Sequence, residues 1–253
     1  MFEPVIKEKG HPFEGITREG IENRLLGLDD TFPFHCRSCG KCCHHRYDIV
    51  LTGFDLFRIA QFFSRTPQEI VKSYCTQEGN LVPAFLLKAR PNGDCPFLRK
   101  KKCAVHPIKP TVCRVFPLAR VFMGNDGAIF DPDKLQWGYL LMEDVDCNSK
   151  DRLQSVREWV GPEGTEEYTR IAQKWHTNLL AFRTWADHYA PLIPIPYLQR
   201  VHDLFEKYLF LNYDIQQPFE EQLEKNTAEL KDFLLQVTQL CNTETDEVTH
   251  DEA

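Results

Sequence analysis

The chain has 253 residues, 42% hydrophobic and 26% charged, a make-up that suits a globular protein of one large domain or two modest ones. The 30 Lys and Arg stand against 37 Asp and Glu, a net charge of -7, which argues against a general nucleic-acid binder because phosphate contacts need basic surface. The N-terminus lacks a secretory pattern, and no apolar run approaches the roughly 20 residues of a bilayer span, so the expected setting is cytoplasmic with no membrane span.

Residues 1–31 read as a polar N-terminal extension with one short helix from about Thr17 to Leu26, capped by Thr17 and carrying Ile21, Leu25 and Leu26 on one face. Pro33 then disfavours helix and leads into the densest feature of the sequence. From Cys36 to Cys43 the order is Cys-Arg-Ser-Cys-Gly-Lys-Cys-Cys, so four of the ten cysteines fall within eight residues. Steps of three from Cys36 to Cys39 to Cys42 suit a loop that wraps one metal or cluster. Disulfides and unconnected buried thiols are the competing readings. A reducing cytosol disfavours cystines, and packing supplies no reason for so dense a run.

Tyr47–Leu51 reads as a short strand, and Thr52 as the cap of a helix whose Phe54, Leu56, Phe57, Ile59, Ala60 and Phe63 make a broad apolar face. Thr66-Pro67-Gln68-Glu69 is a second helix start, running to about Cys75, which falls at a core position. Leu81–Ala89 reads as a buried strand and Pro91–Asp94 as a turn. Then comes a second cysteine group: Cys95, Cys103 and Cys113, in a stretch that prolines at 96, 107, 110 and 117 hold in fixed turns. The basic run Arg99-Lys100-Lys101-Lys102 inside it reads as a solvated turn. Leu118–Met123, a turn at Gly124–Gly127 and Ala128–Phe130 signal a hairpin, and Cys147 follows in an acidic loop. Helices are predicted near 151–160, 163–187, 196–212 and 218–241, with a disordered acidic tail over 242–253. The fold class is therefore α+β: a cysteine-cluster domain over 32–150 with short strands and helices, packed against a helical region over 151–241.

Eight cysteines, Cys36, Cys39, Cys42, Cys43, Cys95, Cys103, Cys113 and Cys147, are the candidate metal ligands, enough for two four-thiolate sites or for one cluster and a thiol pair. Adjacent Cys42 and Cys43 should diverge, giving Cys36, Cys39 and Cys42 to one centre and turning Cys43 towards the second group. Zinc and iron–sulfur both accept four thiolates. Zinc would read more naturally as two separated Cys-x-x-Cys pairs, whereas steps of three, Gly40 within the loop and Cys95-Pro96 favour an iron–sulfur cluster. His44, His45 and His106 lie beside the cysteines as hydrogen-bonding neighbours or substitute ligands. Arg114 could donate to a cluster sulfur, to a substrate carboxylate, or to a structural ion pair. The lack of a phosphate-binding glycine loop or a Gly-x-Ser-x-Gly elbow points away from nucleotide hydrolysis and serine hydrolase chemistry.

Cys36-x-x-Cys39-x-x-Cys42-Cys43, Asp55-x-x-Arg58-Ile59-Ala60, Gly93-x-Cys95-Pro96-Phe97-Leu98 and Lys109-Pro110-x-x-Cys113-Arg114-x-Phe116-Pro117 occur in order, and together they resemble the YkgJ-type cysteine cluster family. The resemblance covers roughly residues 34–150 and implies a zinc- or iron-chelating domain. The chain departs from the pattern at His106, where relatives often carry Tyr, and after Cys147, which lacks a following Pro-Gly. One branch, the flagellin lysine methylases, implies an S-adenosylmethionine-dependent protein lysine methyltransferase. The leading expectation is a cytosolic metalloprotein with one or two thiolate-ligated centres, serving redox or protein-modifying chemistry on a redox partner or protein substrate. The alternatives are a zinc-stabilised, non-enzymatic interaction module, a labile-metal carrier, and the methyltransferase.

Overall fold

The computed structural model of the chain describes residues 18–37, 39–123, 136–142 and 152–250. Helix α1 (Arg18–Glu22) stops short of Leu26, because Leu26 exchanges both backbone hydrogen bonds with Tyr139, at 2.7 and 2.9 Å, in place of helical ones. Thr17 lies outside the described residues. Strand β1 (Thr31–Pro33) pairs antiparallel with Leu153–Ser155. Strand β2 keeps only Val50–Leu51 of the expected Tyr47–Leu51.

Capping boxes start the next two helices. In α2 (Gly53–Phe63) Thr52 Oγ1 accepts from Asp55 N while the Asp55 carboxylate accepts from Thr52 N; in α3 (Pro67–Tyr74) Thr66 and Glu69 repeat the arrangement. The chain leaves α3 in extended conformation at Cys75 and forms strand β3 (Cys75–Glu78), which the periodicity did not signal. Strand β4 (Ala84–Leu87), shorter than the predicted Leu81–Ala89, lies between β2 and β3, antiparallel to both. The cysteine stretch then makes the two-residue strands β5 (Leu98–Arg99) and β6 (Lys102–Cys103), and helix α4 (Thr111–Val115).

Strand β7 (Leu118–Met123) is where the sequence predicts it, and its partner is β8 (Gln136–Leu141). The return strand predicted at Ala128–Phe130 falls outside the described residues. Strand β9 (Leu153–Ser155) replaces the start of a helix predicted from 151. Ser155 is the cap of α5 (Val156–Val160), closing a box with Glu158, so residues before it are left to pair with β1. Helices α6 (Glu166–Tyr189), α7 (Ile195–Glu206, continued by a π-helical turn at Lys207–Leu211) and α8 (Phe219–His250) complete the chain. The backbone of α8 stays helical as far as His250, into the acidic stretch that composition reads as disordered.

One core joins the cysteine segment to the helical region. Leu56, Ile59, Ile70 and Phe85 pack in it with Trp175, Phe205, Leu209, Leu223 and Leu230. Each such side chain, taken from water, contributes about 1.5–3 kcal/mol. A second core gathers Phe32, Phe34, Val115, Leu118, Tyr139, Val156 and Val160. Gly53 marks a close approach between the two regions: a Cβ there would lie 2.4 Å from Leu209 O and 2.6 Å from the Trp175 ring.

Candidate metal centre

The position of Cys113 is set by a carboxylate far away in sequence. Asp55 is 1% exposed, and an acid buried so deeply must be fully hydrogen-bonded. Its Oδ2 accepts from Thr52 N (3.0 Å) and Thr52 Oγ1 (2.9 Å). Its Oδ1 accepts from Thr111 N (2.8 Å), Thr111 Oγ1 (2.9 Å) and Arg58 Nη2 (3.0 Å). Arg58 also donates to Lys109 O at 3.0 Å and lies over the rings of Phe54 and Tyr168, 4.9 and 5.4 Å from their centroids. Asp55 thus caps α2 within its own helix and α4 across the fold, and Cys113 sits on the α4 turn so fixed.

The first cysteine group enters as a 3-10 turn at Lys41–Cys43. Gly40 leads it in with φ 75°, a left-handed conformation that glycine adopts at little cost, and a Cβ there would meet Lys101 O at 3.2 Å. The turn is tied directly to the second group. Cys95 N donates to Cys43 O and His45 N to Gly93 O, both at 2.8 Å, while the His44 ring hydrogen-bonds the Asp94 carboxylate. That bond, then Asn92 and the nearby Arg90, hold the Asp94 carboxyl below the usual carboxylate range. Two guanidinium groups brace the Cys95–Leu98 turn: Arg90 donates to Pro96 O (2.8 Å) and Leu98 O (2.9 Å), and Arg99 to the same carbonyls at 2.7 and 3.0 Å. Leu98 pairs with Cys103 across β5–β6. Phe97 anchors this turn to the core, its ring 4.8 Å from Tyr74 and 6.0 Å from Phe63 between centroids.

Five thiols therefore lie in one neighbourhood: Cys42 and Cys43 from one turn, Cys95 and Cys103 from the hairpin, and Cys113 from α4. Each lies within electrostatic reach of at least one other. The Cys43 thiol donates to Cys42 and, with Lys109 and Arg46 nearby, holds Cys42 below the ordinary thiol value against the opposing effect of burial. The same bond pushes Cys43 up, followed by burial and by the neighbouring Cys42, Cys95 and Cys103. Burial pushes Cys95, Cys103 and Cys113 up, with nearby thiols adding to it.

Cys42 and Cys43 do not diverge as expected for an extended segment. The 3-10 turn brings their thiols into contact, and Cys42 faces Cys103 of the second group. Cys36 and Cys39 are exposed on the stretch leading into the turn, and Cys147 lies outside the described residues. Cys75, read as a core position in the sequence, packs against the main core, and Cys241 is buried within it; burial raises the Cys75 thiol to about 12. His106 is exposed at the start of a 3-10 turn, and His45 is exposed with its ring against Gly93. Arg114 donates to the carbonyls of His106 (2.9 Å) and Pro107 (3.2 Å), so it ties down the loop after Cys103. Among the described residues, no three His, Cys, Asp or Glu side chains already stand grouped as a metal site. The fit to a metal is one of donor chemistry: five thiols, with the cations Arg46, Lys109 and Arg114 beside them to offset thiolate charge. The sequence reading missed Arg46, Lys109 and the role of Asp55 and Arg58. The i, i+3 spacing of that last pair on one helix was the available signal.

Residues 35–147 match a family model, CxxCxxCC, described as "Putative zinc- or iron-chelating domain". No curated protein and no solved structure matches the chain.

Proposed function

We propose that the chain, whose residues 35–147 match the CxxCxxCC model of a zinc- or iron-chelating domain, is a metalloprotein whose thiolates hold an iron–sulfur centre used in electron transfer or in modifying a protein substrate. The observation that carries the reading is the bringing together of three separated cysteine-bearing stretches, Cys43 bonded through its carbonyl to Cys95 N and five thiols within electrostatic reach of one another beside Arg46 and Lys109. Cys42, Cys43, Cys95, Cys103 and Cys113 are the residues that would hold the metal, with Cys36 and Cys39 on the adjoining loop. An iron–sulfur cluster supplies one-electron chemistry; zinc supplies a fixed point for the loops and no redox step. The protein's own groups do the rest. Arg46 and Lys109 offset the negative charge of assembled thiolates, Asp55 and Arg58 fix the turn bearing Cys113, and Arg90 and Arg99 hold the turn bearing Cys95.

A structural zinc role has one observation in its favour. The ligand-bearing stretches are two-residue strands and single turns, which gain stability from a metal cross-link. Metal analysis of protein purified without oxygen separates the two. Iron with acid-labile sulfide, a brown colour and a broad visible band are expected, lost in Cys103→Ser and Cys113→Ser and kept in Cys75→Ser. Colourless protein with stoichiometric zinc overturns the iron–sulfur reading, and metal-free protein with these thiols oxidised to cystines overturns both.

A further inference from the structure

We propose that the β5–β6 hairpin tip, Arg99 to Lys102, is the docking surface for a partner protein that presents a segment of clustered Asp and Glu. The proposal deepens the reading above by naming the chemistry of the partner at the same site, and it rests on that reading.

The backbone supplies the first observation. Strands β5 and β6 pair Leu98 with Cys103 and Arg99 with Lys102, leaving Lys100 and Lys101 as a two-residue connection. Both have positive φ, 48° and 64°. A two-residue hairpin turn of this hand is normally made by Asn-Gly or Asp-Gly, because a side chain with a Cβ is strained there. Two consecutive lysines are a poor choice for the turn, and strained backbone of this kind is retained where the side chains serve a function.

Charge supplies the second. From Cys36 to Arg114 the chain holds 14 Lys and Arg against 5 Asp and Glu, while the remainder holds 16 against 32. Arg99, Lys100, Lys101 and Lys102 are all exposed. Among the described residues, Lys100, Lys101 and Lys102 make no ion pair. The third observation is position. The tip packs on the cysteine loop, since Lys101 O is the atom that a Cβ on Gly40 would meet. An acidic segment held by the tip would be held beside the thiols. A nucleic acid fits less well: its charge is continuous along its length and would run on from this small patch over an acidic remainder.

The test uses the full chain, purified without oxygen and assayed for metal in every sample. The probe is a fluorescein-labelled oligoglutamate peptide, with a short single-stranded DNA as the second arm. Lys100→Asn combined with Lys101→Gly should raise Tm by ~2–4 °C by relieving the turn. The same variant should weaken peptide binding on the order of tenfold and flatten its salt dependence. Lys100→Arg combined with Lys101→Arg should keep the binding. Unchanged peptide binding in the Asn-Gly variant overturns the proposal, and so does a lower Tm, which would make the lysines structural. Tighter binding of the DNA than of the peptide overturns the partner class. Metal-free protein that still shows the loss of binding leaves the docking surface standing and removes the metal reading; full metal with no loss of binding does the reverse.

Discussion

Replacing Asp55 by Ala tests whether one buried carboxylate holds the α4 turn against α2. The substitution removes the five hydrogen bonds that the carboxylate accepts, at 2.8–3.0 Å, keeps the bond from the residue 55 backbone N to Thr52 Oγ1, and leaves Arg58, 7% exposed, without its buried counter-charge. Breaking a buried pair from one side costs about 3–5 kcal/mol, and loss of half a capping box adds about 1 kcal/mol. A total of about 4–6 kcal/mol in a chain of this size lowers Tm by roughly 8–24 °C. Thermal unfolding followed by circular dichroism measures it, with urea titration as a check. Asp55→Ala combined with Arg58→Leu should recover much of the loss, because apolar groups can replace a buried pair at little cost. An Asp55→Ala protein melting within about 2 °C of the parent, a shift of under about 1 kcal/mol, would refute the anchoring role.

Two further outcomes follow from the packing of α6. Gly53→Ala pushes a methyl group into Leu209 O and the Trp175 ring, at 2.4 and 2.6 Å, and should destabilise the chain by about 1–3 kcal/mol in urea titration. His176 on α6 stacks on Phe122, 4.5 Å between centroids, and burial, then Arg120 and Arg183, hold its imidazolium down to about 4. Unfolded, it takes a proton near 6.5, so in the window from about 6.5 down to 4 the unfolded chain binds more protons and stability falls with falling pH. Comparing urea midpoints at about pH 5 and pH 7, His176→Phe should flatten this dependence by about 2 kcal/mol, and an unchanged slope would count against it.

Features written in short spacings were legible in the sequence, and features made by meetings between distant stretches were not. Both caps, Thr52 and Thr66, and the Glu69 that closes the second box lie within four residues of the helix starts they mark, and both helices begin where predicted. Strand β7 matches its predicted bounds because its alternation is local. Strands β3 and β9 were missed because their pairing partners, β4 and β1, decide them more than their own residues do. At the site, the density of cysteine was plain, but which thiols meet depends on the 3-10 turn at Lys41–Cys43 and on the Cys95 to Cys43 backbone bond. Asp55 stood in a recognisable motif, while its acceptance from Thr111, 56 residues on, is a tertiary fact.

The clasp between β1 and β9 has a consequence for how the cysteine segment can be handled. Phe34 N donates to Arg152 O at 2.8 Å and Gln154 Nε2 to Phe34 O at 2.6 Å, so the residues that flank the matched stretch 35–147, Phe34 before it and Arg152 after it, meet. Adjacent ends usually mark a cassette that can be excised or grafted. Here they do not. The segment carries α2, α3 and β4, and their apolar side chains fill the same core as Trp175, Phe205 and Leu223. Cutting it out would strip helices α6 to α8 of the surface they close upon, so the thiol-bearing part and its helical support fold as one piece.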